Sequence, residues 1–289
     1  MSSFKPVKGQ NRFRLRVPQL FVWCACVLSL TGTFLVWFFG RESFGGPKAL
    51  WLVLIVLGFF IAACALPFIF AFVVSLMLPG TEPKKEHRLA RAFAVRVIEM
   101  AMLFCRIRVR FEGLEKLGKG KQYLFVSNHL SMFDPMMCMV YLYAFRPIFV
   151  TKPENLKIPM GGPFIRFLRF QSIDRENPRS SLKTLLHCVE LCHEKEKYSI
   201  GIYPEGTRSK TGKLLPFHDG VFLVAKRAPL PVAVLSVSGI RGVGRRMPFK
   251  RTDVTMKVHC IVPAEEAATM HPSEICEKVR AIMPESDTI

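Results

Sequence analysis

With 289 residues, half of them apolar, the chain can bury one substantial core and still carry an attachment device. Nine cysteines are scattered without a Cys-x-x-Cys pair, which argues against a disulfide framework or a zinc ribbon and fits a reducing compartment. The formal charge of +19 calls for an anionic partner, and since no nucleic-acid-binding motif accompanies it, nucleic acid is set aside.

Residues 1–19 form a basic leader containing Lys5, Lys8, Arg12, Arg14 and Arg16, with no acid before Glu42. Leu20 to Phe39 is uncharged and about the ~20 residues that a helix needs to cross a hydrocarbon core. Gly45, Gly46 and Pro47 then favour a turn, and residues 49–78 form a second uncharged run, with a kink or break expected at Pro67. Together, residues 20–78 read as a membrane-embedded two-helix segment. A cleaved signal peptide has a shorter apolar core and would not lead straight into another apolar run. Lys and Arg flank the hairpin at its start and again at Lys84, Lys85, Arg88, Arg91 and Arg96, so the positive-inside rule places both ends, and residues 79–289 with them, in the cytoplasm. In a bacterium this would be the cytoplasmic face of the inner membrane. A hairpin lying in one leaflet satisfies the same charge pattern, so spanning and monotopic arrangements both stay open.

From Glu86 to Phe104, Leu89, Phe93, Val97 and Met100 recur at helical spacing. Strand-like runs follow at RIRVRF, YLFVSN, PIFVT, YSIGIY, LPVAVLSVSG and VTMKVHCIV, separated by helical stretches such as SSLKTLLHCVELCHEKEK. That alternation predicts an α/β domain with one sheet flanked by helices.

Two polar motifs come directly after strand-like runs, where α/β domains commonly place their sites: NHLSMFDP and PEGTRSK. In the first, His129 and Asp134 are five residues apart, about 500 degrees around a straight helix, so a turn must bring them together. An imidazole can take a proton from an attacking hydroxyl, and a carboxylate on its other nitrogen fixes the tautomer. By spacing alone, a polar cluster that stabilises a turn is the better reading. In the second, Glu205, Gly206, Thr207 and Arg208 put an acid, a flexible glycine, a hydroxyl and a guanidinium into one loop, and Arg208 suits a phosphate. Glu205 could orient Arg208 or a substrate hydroxyl.

Other candidates have simpler readings. Ser131 and Cys138 are possible nucleophiles beside His129, but neither has the spacing of a nucleophile elbow, and capping or packing suits them better. His187, Cys188, Cys192 and His193 do not converge as four ligands on one helix, so no metal is expected. Arg241, Arg245, Arg246, Lys250 and Arg251 are either a solvated loop or a surface for anionic headgroups or an acidic carrier protein.

Together these segments resemble the PlsC-type lysophosphatidate acyltransferases of the glycerolipid acyltransferase superfamily. That family's first motif, N/H followed by four residues and D, is matched by Asn128, His129 and Asp134. Its F-P-E-G-T-R-S loop is matched from Pro204 to Ser209, with Tyr203 in place of Phe. Lys152, Lys157 to Phe164 and Ile173-Asp174-Arg175 resemble the second block, and Leu230-Pro231-Val232 the fourth, over about residues 87–262. The resemblance implies a mostly mixed sheet and attack by a lysolipid hydroxyl on an acyl thioester without an acyl-enzyme. His129 would be the base and Asp134 its orienter, with Ser131 as support. Glu205, Gly206, Thr207 and Arg208 would hold the acceptor's phosphate, helped by Arg175 and Lys152. The expected substrates are lysophosphatidic acid and either acyl-CoA or acyl-carrier protein, at an anionic membrane surface, with no bound cofactor. A lyso-ornithine lipid or another lysophospholipid as acceptor, or a non-catalytic lipid-binding scaffold, are the alternatives.

Overall fold

Each of the six strand-like runs forms a strand, and a seventh lies between them. The computed structural model describes residues 25–38 and 48–285, divided into two compact units at Met77/Leu78. The basic leader, residues 20–24 of the first apolar run and the 45–47 turn lie outside the described residues.

The first unit contains two apolar helices, α1 (Ala25–Phe38) and α2 (Lys48–Met77). Part of α2, Val53–Met77, has a mean hydropathy of 2.8 and is long and apolar enough to cross a membrane, whereas the described part of α1 is too short by itself. The two helices pack side by side: Ser29 Oγ donates to Val56 O at 2.8 Å, and Gly32 lies against the Phe59 ring. The helix runs unbroken through Pro67, where a break was one expectation. A proline forfeits one intrahelical bond without necessarily ending a helix whose neighbouring turns are intact.

In the second unit, α3 (Arg88–Phe104) leads into a seven-stranded sheet. Its strands are β1 (Ile107–Glu112), β2 (Leu124–Ser127), β3 (Pro147–Thr151), β4 (Gln171–Ser172), β5 (Ser199–Ile202), β6 (Val232–Ser238) and β7 (Thr252–Val262). The order is β1-β7-β6-β2-β5-β3-β4. Strands β6, β2, β5, β3 and β4 are mutually parallel, while β7 runs antiparallel to β6 and parallel to β1. The sheet is therefore mixed, with one edge carrying the carboxyl ends of five neighbouring strands.

Alternation along the strands builds a core on each face. Tyr123 and Phe125 of the β2 region, with Ala233, Leu235 and Val237 of β6, pack under α3 and α4 (Phe133–Tyr141). Leu124, Val126, Val232 and Val234 face α6 (Pro178–His193), α7 (Leu223–Arg227), α9 (Ala264–Thr269) and α10 (Pro272–Ile282). Cys188 and Cys192 are buried in this second core, and burial raises both thiols, Cys192 to about 12. They behave as small core residues. Two further helices, α5 (Gly161–Phe167) and α8 (Val243–Arg246), lie in connecting segments.

Glycine at 201, in the middle of β5, is required by a neighbouring ring: a Cβ there would come within 2.3 Å of Phe149 on β3. The segment ahead of α3 is tied down by buried charge. Glu86 accepts from Arg91 Nε on one oxygen and from Arg146 Nη2 at 3.1 Å on the other. Burial pulls the Arg91 guanidinium below its ordinary value even with Glu86 beside it. Glu82 accepts from Arg169 at 3.0 Å and Gln171 at 3.1 Å. The Tyr198 ring lies beneath both Arg146 and Arg169, 4.9 and 5.5 Å from its centroid.

Two stability consequences follow. Glu86→Gln leaves the buried Arg91 guanidinium, and the partly buried one of Arg146, short of a counter-charge, and we expect unfolding to become easier by ~3–5 kcal/mol, measured by denaturant titration of the full chain in detergent. Gly201→Ala forces Phe149 aside and should cost ~1–3 kcal/mol in the same titration. An unchanged midpoint in either variant would contradict the corresponding packing.

Candidate active site

The carboxyl edge of the sheet gathers the loops that contain the candidate residues: 128–132 after β2, 203–218 after β5, 152–157 after β3 and 173–177 after β4. Asn128 anchors the first. Its side-chain amide donates to Val237 O at 2.9 Å and accepts from Val237 N at 2.8 Å, fastening the end of β2 to β6.

The turn that His129 and Asp134 require is built by Asp134 itself. It lies in the first turn of α4, fully buried, and its Oδ2 accepts from Leu130 N at 2.7 Å, Ser131 N at 2.8 Å and the His129 ring at Nδ1, 2.8 Å. The loop thus wraps around one carboxylate oxygen, and the positive end of α4 favours the charge there. Because Nδ1 faces a carboxylate acceptor, the neutral ring carries its proton on Nδ1 and presents Nε2 as a base. The His129 side chain is 19% exposed, open enough for a substrate to reach. Ser131 Oγ accepts from Phe133 N at 3.3 Å, so that hydroxyl serves the start of α4.

Behind the imidazole stands an aromatic wall. The Tyr203 ring stacks on His129 with centroids 4.4 Å apart, and Phe149 stacks on Tyr203 at 6.0 Å. The Tyr203 hydroxyl ends 3.9 Å from Cys138 Sγ, and burial raises its pKa well above the tyrosine range. Cys138 is buried beneath it, with its thiol pushed up to about 12 by burial, and so is not poised as a nucleophile.

The second motif is joined to the first by Glu205. Only 4% exposed, it accepts from His129 N at 2.7 Å through one oxygen and from Leu215 N at 2.9 Å through the other. Burial pushes its carboxyl above the usual glutamate range, against the two backbone bonds and His129, which pull the other way. Both oxygens therefore face backbone, where the sequence suggested Arg208 or substrate. Ser209 N donates to His129 O at 2.8 Å, and His218 N to Pro204 O at 2.9 Å, closing the 203–218 loop on itself and on the first motif.

Gly206 sits at φ +69° and in close quarters. A Cβ there would come within 3.2 Å of Arg175 Cζ and of the His218 ring at Cδ2 and Nε2, at 3.1 and 3.2 Å. Arg175, expected from its motif, is thus brought to Gly206, and burial lowers its guanidinium from the ordinary value while Glu154 acts the other way. His218 was not foreseen, since no motif spacing marks a histidine at the end of a long loop. Thr207, Arg208 and Lys152 are exposed on the same edge, with Lys152 directly after Thr151, whose carbonyl accepts from Ile173 N at 3.0 Å. Among the described residues no group of three or more His, Cys, Asp or Glu side chains is arranged to hold a metal ion.

Residues 108–238 match the family model described as Acyltransferase. Over 191 residues the chain is 27% identical to the 1-acyl-sn-glycerol-3-phosphate acyltransferase of Limnanthes douglasii, covering 66% of each chain. It is 25% identical over 247 residues to the enzyme of the same name from Cocos nucifera, covering 82% of this chain and 78% of the relative. The crystal structure of the 1-acyl-sn-glycerophosphate (LPA) acyltransferase PlsC from Thermotoga maritima shares the fold, with a TM-score of 0.55 at 24% identity over 78% of this chain and 89% of that one. The chain spans about two thirds of the length of the Limnanthes relative. All the loops that build the site after β2, β3, β4 and β5 fall within the matched segment, so it is in the site-bearing part of the sheet that the chain is similar to the acyltransferase family.

Proposed function

We propose that the chain transfers an acyl group from a thioester, acyl-CoA or acyl-carrier protein, to the sn-2 hydroxyl of 1-acyl-sn-glycerol-3-phosphate, giving phosphatidic acid. The observation that carries this reading is the Glu205 bridge, which sets a His–Asp base beside a basic loop suited to a phosphate monoester. The names of the relatives point to the same acceptor.

In this mechanism Nε2 of His129 takes the hydroxyl proton as the oxygen attacks the thioester carbonyl, and Asp134 stabilises the imidazolium through Nδ1–H. Collapse of the tetrahedral intermediate breaks the C–S bond, and the imidazolium returns the proton to the departing thiolate. One proton and one acyl group move, so the balance needs no bound cofactor. The engagement of the Ser131 hydroxyl and the burial of Cys138 support direct transfer without an acyl-enzyme. Arg175 and His218 beside Gly206, with the exposed Arg208, Thr207 and Lys152, supply donors and charge for the acceptor's phosphate. Glu205 acts as a positioning residue.

We further read residues 20–78 as the membrane anchor, with residues 79–289 on the cytoplasmic face against an anionic surface. The spanning length of Val53–Met77 and the basic flanks support this.

His129→Ala should lower kcat for labelled acyl transfer to lysophosphatidic acid by about 10²–10⁴-fold while the chain stays folded. Turnover at the wild-type level would remove the base assignment. Arg208→Ala should raise KM for phosphate-bearing acceptors with a smaller effect on kcat, and an unaltered KM would remove the phosphate contact.

A further inference from the structure

The connection between β6 and β7 includes RRMPFKR, and the fold turns several of its cations inward. Arg246 Nη2 donates to Gly239 O at 2.9 Å and to Arg241 O at 2.7 Å, and Arg241 donates to the carbonyl of Thr211 in the 203–218 loop. Arg251 pairs with Asp253 at 2.6 Å, and Arg106 donates to Phe249 O at 2.6 Å. These bonds fix the backbone of the loop. They leave Arg245 and Lys250 exposed, with no hydrogen bond or ion pair from their side chains among the described residues. They also hold Phe249 out with 83% of its surface exposed, and Met247 with 37%.

A single exposed apolar residue is ordinary on a soluble protein. Here the position gives it meaning. Because β7 runs antiparallel to β6, this loop lies at the carboxyl edge of β6, the strand that Asn128 joins to β2. The parallel pairing of β1 with β7 brings the end of α3, with Leu103 and Arg106, to the same edge. Met132, three residues beyond His129, is exposed there too. One edge therefore presents apolar Leu103, Met132, Met247 and Phe249 together with exposed cations. An aromatic tip flanked by unpaired cations matches an anionic bilayer surface, where the ring enters the interface and the cations are drawn to lipid phosphates. An acidic soluble partner would account for the cations but not for Phe249.

We propose that the 241–251 loop is a second membrane-docking element, in which Phe249 and Met247 insert among anionic lipids while Arg245 and Lys250 bind their phosphates. It presses the carboxyl edge, and His129 with it, onto the surface that delivers the acceptor. This rests on the reading of the acceptor as a bilayer-borne lysolipid.

Phe249→Trp, in a full-length chain whose Trp23, Trp37 and Trp51 are replaced by Phe, leaves a single indole to observe. In nanodiscs containing phosphatidylglycerol we expect its emission to shift to the blue and to be quenched by lipids brominated in the upper part of the acyl chain. The quenching should diminish in wholly zwitterionic discs and on adding Arg245→Glu and Lys250→Glu. The emission of a water-exposed indole, unquenched in anionic discs, would overturn the proposal, as would equal quenching in zwitterionic discs. Acyl transfer measured on the same discs separates the two readings. Turnover without quenching leaves the chemistry and removes the docking, whereas quenching without turnover does the reverse. Phe249→Ser provides a second check: it should raise KM for acceptor presented in discs but not for acceptor in detergent micelles, and equal KM changes in both would overturn the docking role.

Discussion

The carboxylate of Glu205 is divided between two loops, one oxygen on the backbone of His129 and the other on that of Leu215. Without it, the imidazole after β2 and the basic loop after β5 would be neighbours by topology only. The carboxylate turns adjacency of strands into a fixed spacing between the His129 ring and the 203–218 loop. Asp134 does the same on a smaller scale, gathering two backbone N–H groups and an imidazole onto one oxygen. Both acids are buried, and a buried carboxylate is tolerable only while its hydrogen bonds are intact, so each loop conformation is tied to the charge it surrounds.

The same economy appears away from the site. Glu86 and Glu82 lie in the segment between α2 and α3, and each binds cations from elements far along the chain, Arg146 and Arg169. Tyr198, at the head of β5, receives both guanidinium groups on its ring. A segment with little apolar surface of its own is thereby held against the sheet, by charge pairs whose desolvation is offset by several partners at once.

Strand and helix placement was legible because alternation and helical spacing were strong in YLFVSN, LPVAVLSVSG and the run to Phe104. The two-residue β4 was not, since Gln171 and Ser172 are too short a segment for any period to show, and they pair only because Thr151 ends beside them. In the site, motif order brought out His129, Asp134 and Arg175. The inward face of Glu205 was hidden, because a charged residue in a basic loop reads as a ligand until its backbone partners are seen. His218 reaches Gly206 only through closure of a loop held by His218 N on Pro204 O, a long-range contact with no local signature.

The stack of His129 on Tyr203, and of Tyr203 on Phe149, runs from the reacting edge into the sheet, and it fits only because residue 201 has no side chain. The tilt of the imidazole is thus inherited from the interior. Any adjustment around the imidazole has a rigid rear to work against and must come from the solvent-facing loops. A phenylalanine at 203 would serve the stack as well as tyrosine does, so the hydroxyl there is not what sets the position of the imidazole.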